Sequence, residues 1–277
     1  MFRAVRILVL AYVGICILMG LGQRSLIYRP ARVSTEDLAR FASERHFEPW
    51  TNTAGLRIGW RRLSARMPAK NAVGEVVLIT HGNGGSAVGR EYIADPLQAV
   101  APLDVYILEY PGYGDRPGSP SQSTLLSAAE EAFQQLPASV PVFLVSESLG
   151  TGVGAWLAGR HADRVAGACF LVPYDRLVNV ARSQMPWWLP VGLLLRDQYP
   201  ASQWLEGFHG PAAFCVAERD SIVTPAHGLR FHSEFAGPKR LWVLPGLDHN
   251  EALSRPVEWW QEVVRFWREN QRSARAS

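Results

Sequence analysis

The chain has 277 residues, 48% of them hydrophobic and 19% charged, with a net charge of +3. That length and balance suit one large α/β domain with a sizeable core. The charge is too mild to argue for nucleic acid, and no repeat or low-complexity tract points to a solenoid or a disordered chain.

Residues 1–24 differ from all that follows. Arg3 and Arg6 precede an uncharged apolar run from Ile7 to Gly22, and Arg24, Arg29 and Arg32 follow it. Counted from Ala4, with Arg6 snorkelling to the interface, the run is long enough for a membrane span. A retained N-terminal anchor is therefore expected, with residues 25–277 forming the folded domain. The competing reading is a signal segment cut before Gln23, after Gly20 and Gly22, which would leave a secreted protein; a buried helix is a third. A lipoprotein site is not expected, because Ile15, before Cys16, is not small. A short N-terminus carrying two arginines resists translocation, which favours a non-cytoplasmic domain.

Ser34 or Thr35 marks the cap of a short helix through Phe41. Phe47–Thr51 and Leu56–Leu63 read as strands joined at the Thr53-Ala54-Gly55 turn, and Arg66–Lys70 as a polar loop. Glu75–Thr80 is a buried strand running into His81-Gly82-Asn83-Gly84-Gly85 and a helix over 90–100. Glycines there let a backbone N–H aim inward, and Asn83 is the expected donor, with Gly84 as second choice. The loop lacks the spacing of a phosphate-binding motif. His81 reads as a brace for the loop. Asp104–Tyr110 is a further strand, followed by an amphipathic helix over Ser121–Leu136.

The stretch V-P-V-F-L-V-S-E-S-L-G-T-G from Val140 carries the chemistry. A buried strand turns sharply into a helix, with Ser148 at the turn, which is a nucleophile-elbow pattern. Ser146 stands where that motif has its first glycine. The bland alternative is that Ser148 is only a helix cap. Ser146 lies within the strand, and Glu147 is expected to be a supporting or surface group. A strand at Ala166–Val172 ends near Asp175. Between about 175 and 210 the pattern breaks, and Trp187-Trp188 with several leucines suggest a small lid with an apolar substrate path. Ala212–Ala217 is a strand ending at Asp220, and Arg240–Leu244 one ending near Asp248-His249. A core helix from Pro256 to Glu269 follows, and Gln271–Ser277 is expected to be disordered. Cys169 and Cys215 fall inside strands and read as core residues. No Cys/His cluster has zinc spacing, so neither a metal nor a cofactor is expected.

Strands alternating with helices predict a mostly parallel sheet flanked by helices. Ser148, Asp220 and His249 each follow a strand, so all three should meet at its carboxyl edge. Asp175 is an alternative acid. Asp248 adjoins His249 and cannot easily orient its ring. The pieces H-G-N-G-G, Y-P-G-Y-G, S-E-S-L-G-T-G, E-R-D-S-I-V-T-P and G-L-D-H-N resemble the α/β-hydrolase superfamily from about Leu56 to Arg268. Together with R-S-L-I-Y-R-P at Arg24–Pro30 they look most like membrane-anchored serine hydrolases of the ABHD type.

That resemblance implies an α/β-hydrolase fold and acyl transfer through an acyl-enzyme on Ser148. His249 would be the base, Asp220 its orienting acid, and the N–H groups of Asn83 and Leu149 the oxyanion hole. The substrate expected is a small-molecule or lipid-like ester or thioester. A peptidase on the same triad and a non-catalytic binding module at a membrane are the other readings.

Overall fold

The structure, a computed structural model, describes residues 1–65 and 74–276. The expected loop at Arg66–Lys70 lies outside the described residues. Helix α1 runs Phe2–Ile27, three residues beyond the boundary read from the sequence. At ~1.5 Å per residue it is about 39 Å long, enough for an apolar bilayer core of ~30 Å. Most of its side chains up to Leu18 are exposed. Helix α2 (Thr35–Glu44) is capped by Ser34, whose hydroxyl accepts from the Asp37 N–H; with no glycine or proline to stop it, it passes Phe41.

Among the described residues eight strands form one sheet in the order β1-β2-β4-β3-β5-β6-β7-β8. Their ranges are β1 Glu48–Thr51, β2 Arg57–Arg62, β3 Glu75–Thr80, β4 Leu103–Leu108, β5 Val142–Glu147, β6 Val165–Leu171, β7 Ala212–Ala217 and β8 Lys239–Leu244. Only β2 opposes its neighbours, pairing antiparallel with β1 and β4. The central strands are apolar almost without interruption because helices cover both faces. The two edges are protected by sequence: β1 carries Glu48 and Pro49, and β8 starts with the exposed Lys239 and Arg240.

The covering helices are α3 (Glu91–Val100), α4 (Gln122–Gln134), α5 (Gly150–Arg160), α9 (Pro225–Glu234) and α10 (Val257–Ala276). The core divides into a cluster on each face of the sheet. On one face Trp267 of α10 stacks on Phe143 at 4.7 Å and donates its indole N–H to the Ala168 carbonyl at 3.0 Å. Helix α10 continues through Ala276, where disorder was expected after Gln271. Residues 270–276 hold neither glycine nor proline, so nothing halts propagation.

The segment 175–210, where the strand–helix pattern breaks, folds into three short helices: α6 (Leu177–Gln184), α7 (Val191–Leu194) and α8 (Ala201–Leu205). Helix α8 lies hard against α5; a Cβ at Gly159 would sit 1.8 Å from the Trp204 carbonyl oxygen. Helices α6 and α7 instead form a separate apolar cluster around Val178, Leu189, Val191 and Leu195, completed by Met19 and Ile27 of α1.

Candidate active site

The parallel register sets the strand ends level. Thr80 pairs with Ser146, Ser146 with Phe170, Leu171 with Cys215, and Ala217 with Leu244. The loops leaving β3, β5, β7 and β8 therefore converge, bringing Asn83, Ser148, Asp220 and His249 to one edge.

Ser148 adopts φ +49°, in the left-handed region a side chain enters at a cost. The close packing around it explains why the turn tolerates few residue types. A Cβ at Gly150 would lie 2.0 Å from the Thr80 carbonyl oxygen, so only glycine fits. Ser146 is accommodated from across the turn. Thr80 Oγ1 donates to its hydroxyl at 2.8 Å, and a Cβ at Gly154 would come within 1.8 Å of Ser146 Oγ. The bulk that Ser146 adds to the elbow is taken up by the missing side chain at Gly154.

Ser148 Oγ lies 3.0 Å from His249 Nε2, and His249 Nδ1 lies 2.7 Å from Asp220 Oδ2. The other Asp220 oxygen accepts the N–H groups of Ile222 and Val223 at 2.9 and 2.7 Å. A carboxylate that only accepts makes Nδ1 the protonated nitrogen, which leaves Nε2 free to accept the serine proton. Asp220 and His249 are buried, whereas Ser148 is half-buried. The remaining acidic candidates are placed elsewhere. Asp248 accepts the backbone N–H groups of Ser221 and His249, so it ties two loops together without touching the ring, and those bonds hold its carboxyl below the usual range.

Asp175 faces a different histidine. Its Oδ1 is 3.1 Å from His227 Nδ1, and His227 Nε2 is 3.3 Å from Ser183 Oγ. This second Ser–His–Asp set lacks an elbow: Ser183 sits inside α6 and donates to the Val180 carbonyl. It clasps α6 to the end of β6 and to α9. Burial pushes the Asp175 carboxyl up, but the bonds from His227 and Asn179 outweigh it and hold the group low.

Glu147 is fully buried, a supporting group and not a surface one. Its carboxylate accepts from Arg90 Nη2 at 2.7 Å, from the Gly82 N–H at 2.6 Å and from the Tyr92 hydroxyl at 2.5 Å. Arg90 in turn donates to the carbonyls of Gly84 and Ser86. Burial acts to raise the Glu147 carboxyl, yet Arg90 and these bonds hold it below the ordinary glutamate value. One residue before Ser148, then, an ion pair staples the 82–86 loop to the elbow. Arg90 and Tyr92 escaped the sequence reading, since nothing local marks them as partners of Glu147. His81 is buried against Tyr110 and Tyr113, with Nδ1 2.7 Å from the Gly82 carbonyl, as befits a brace.

Among the described residues the backbone N–H groups of Asn83 and Leu149 make no hydrogen bond within the protein. Leu149 also stands at the start of α5, where unpaired N–H groups and the helix dipole favour negative charge. The Asn83 side chain is held at both ends of its amide. Its Oδ1 accepts from the Arg29 N–H at 2.7 Å and the Tyr113 hydroxyl at 2.9 Å, while its Nδ2 donates to the Ile27 carbonyl.

Ser148 opens onto a cavity of about 250 Å³, lined mainly by apolar side chains from α6, α7, α1 and the loop at Ile222-Val223. Such a site can hold an uncharged, apolar group beside a hydroxyl that a neutral imidazole can deprotonate.

Residues 75–191 match the family described as the alpha/beta hydrolase fold. With the sheet order and the strand-end loops described above, the chain has the α/β-hydrolase fold. It is similar to an uncharacterized protein of Mycobacterium tuberculosis, 29% identical over 89% of this chain and 87% of that one. It also resembles lysophosphatidylserine lipase ABHD12 of Xenopus tropicalis, 27% identical over 56% of this chain and 39% of the lipase. Among solved structures, an α/β hydrolase from Vibrio vulnificus superposes with a TM-score of 0.64, at 17% identity, over 90% of this chain and 91% of that one.

Proposed function

We propose that the protein is a serine hydrolase that cleaves a carboxylic ester or thioester of an apolar acyl group. The observation that carries this reading is the continuous contact from Ser148 through His249 to Asp220 at a strained turn facing an apolar cavity. Ser148 Oγ attacks the acyl carbonyl carbon, and its proton passes to His249 Nε2. The carbonyl oxygen becomes an oxyanion held by the N–H groups of Asn83 and Leu149, each worth about 10²–10³ in rate by analogy with other oxyanion donors. Collapse breaks the bond to the alkoxide or thiolate, which takes the proton from His249. Water then attacks the acyl-serine with His249 again as base, releasing the acid and restoring Ser148. Asp220 holds the imidazole tautomer and stabilises the imidazolium.

The similarity to lysophosphatidylserine lipase ABHD12 favours a lipid-like ester. Helix α1 would anchor the enzyme in a membrane, with residues 175–210 as a lid and the two N-terminal arginines keeping the domain outside the cytoplasm. The test is labelling of membrane fractions with a fluorophosphonate probe. Labelling should occur in the wild type and vanish in Ser148→Ala and His249→Ala. Folded wild-type protein that takes no label overturns the reading.

A further inference from the structure

Helix α1 has two unlike parts. Its first four turns are mostly exposed, with Leu8 at 69% and Leu10 at 60%, and meet the domain chiefly through the Tyr12 hydroxyl, which donates to the Trp188 carbonyl at 3.2 Å. Its last turns are built into the domain. Met19, Gln23 and Ile27 recur at i, i+4 and i+8, and with Leu26 they line the cavity that faces Ser148. The opposite wall is α6 and α7, so without α1 one side of the cavity would be open to solvent or lipid.

The seam that holds this wall is polar and specific. Gln23 is 6% exposed; its amide donates to the carbonyls of Gly20 and Leu194 and accepts the Arg196 N–H at 2.6 Å. Asp197, 3% exposed, accepts from Arg24 at 3.2 Å and from the Tyr28 hydroxyl at 3.0 Å. The helix end is also tied to the loop of the proposed oxyanion donor, through Asn83 Nδ2 to the Ile27 carbonyl and the Arg29 N–H to Asn83 Oδ1. A helix that served only as a tether would need none of these bonds. A cut before Gln23 would remove Met19 and Gly20, and with them part of the wall and one Gln23 acceptor.

From this we infer that the C-terminal turns of α1 are a specificity-determining wall of the acyl site, retained in the mature enzyme, and that Met19 sets the length of acyl chain accepted. The inference rests on the hydrolase reading. A cavity of about 250 Å³ has room for about eight groups of the size of water, at ~30 Å³ each. The substrate class is thus an ester of a single acyl chain whose first eight or so carbons lie between α1 and α6; a longer chain leaves along the apolar face of α1.

The experiment is a series of p-nitrophenyl esters from butyrate to dodecanoate, assayed on full-length protein in detergent micelles. Met19→Trp should lower the decanoate-to-butyrate ratio of kcat/KM by about tenfold or more, because one methylene in an apolar pocket is already worth ~10-fold or more. Met19→Ala should raise the dodecanoate-to-butyrate ratio, and it keeps the test alive if the tryptophan variant does not fold. Leu21→Trp, two residues away and 71% exposed, should leave both ratios unchanged. Ratios that stay within about twofold of wild type in both Met19 variants overturn the inference while leaving the hydrolase intact. Equal shifts from Leu21→Trp also overturn it, since the effect would then belong to the micelle contact. Wild-type protein that hydrolyses no ester and takes no fluorophosphonate overturns the underlying reading, and this one with it.

Discussion

Replacing Glu147 by glutamine keeps the shape of the side chain and removes its charge, which isolates the ion pair behind the elbow. Arg90 is 8% exposed and Glu147 1%, so the guanidinium would be left buried without a counter-charge. Breaking a buried pair from one side costs about 3–5 kcal/mol. Glutamine can still accept the Gly82 N–H, and Arg90 keeps its bonds to Gly84 and Ser86, which places the cost near ~3 kcal/mol. At ~2–4 °C per kcal/mol for a chain of this size, the melting temperature should fall by about 6–12 °C. The pH dependence has a definite sign. The folded-state carboxyl is held below its unfolded value, so its contribution is fully present above the ordinary glutamate range and is lost as pH falls through the lowered value. The gap between wild type and Glu147→Gln should therefore narrow on acidification. Thermal melts in micelles followed by near-ultraviolet circular dichroism measure both effects. Adding Arg90→Met should recover part of the loss, giving a non-additive cycle. A variant within about 1 kcal/mol of wild type at neutral pH, or a gap that does not change down to the acid transition, would refute the stapling argument. Activity follows the same geometry: a loosened 82–86 loop should lower kcat by about 10- to 100-fold, less than the loss of an oxyanion donor outright.

Two further tests separate neighbouring roles. Asp220→Asn should lower kcat by about 10⁴-fold, as the same change does on another serine-hydrolase fold, because the wrong imidazole tautomer is favoured. Asp175→Asn should leave kcat within about threefold, since its partner is His227 and not His249; similar losses in both variants, read in a steady-state ester assay, would undo the assignment. Gly154→Ala should destabilise the fold by about 1–3 kcal/mol by driving a Cβ into Ser146 Oγ, and Ser146→Gly in the same chain should restore most of the loss in a urea titration. Failure of that rescue would show that Ser146 is not what Gly154 accommodates.

What could be read from the sequence follows the range of the interactions involved. The strands at 75–80 and 212–217 are continuous apolar runs, which a parallel sheet covered on both faces requires, and their observed bounds match the runs. Ser148, Asp220 and His249 stood out because each follows such a run, and level strand ends then bring them together. Glu147 could be read only as a supporting or surface group: its partners Arg90 and Tyr92 lie more than fifty residues away, and no periodicity links a buried carboxylate to a distant guanidinium. The clasp of Asp175, His227 and Ser183 was hidden for the same reason, its members coming from three separate elements.

Helix α1 was obscured by the opposite problem. A helix apolar all round shows no stripe, so the side that meets protein cannot be told from the side that meets lipid by hydrophobicity alone. Gln23 is the residue that breaks the symmetry. A side-chain amide at the end of an apolar helix must find hydrogen-bond partners or carry the cost of going without, and Gly20, Leu194 and Arg196 supply them. Read for position only, Gln23 looks like the residue after a cleavage site. Read for hydrogen bonding, the same residue marks where α1 stops being exposed and packs into the domain.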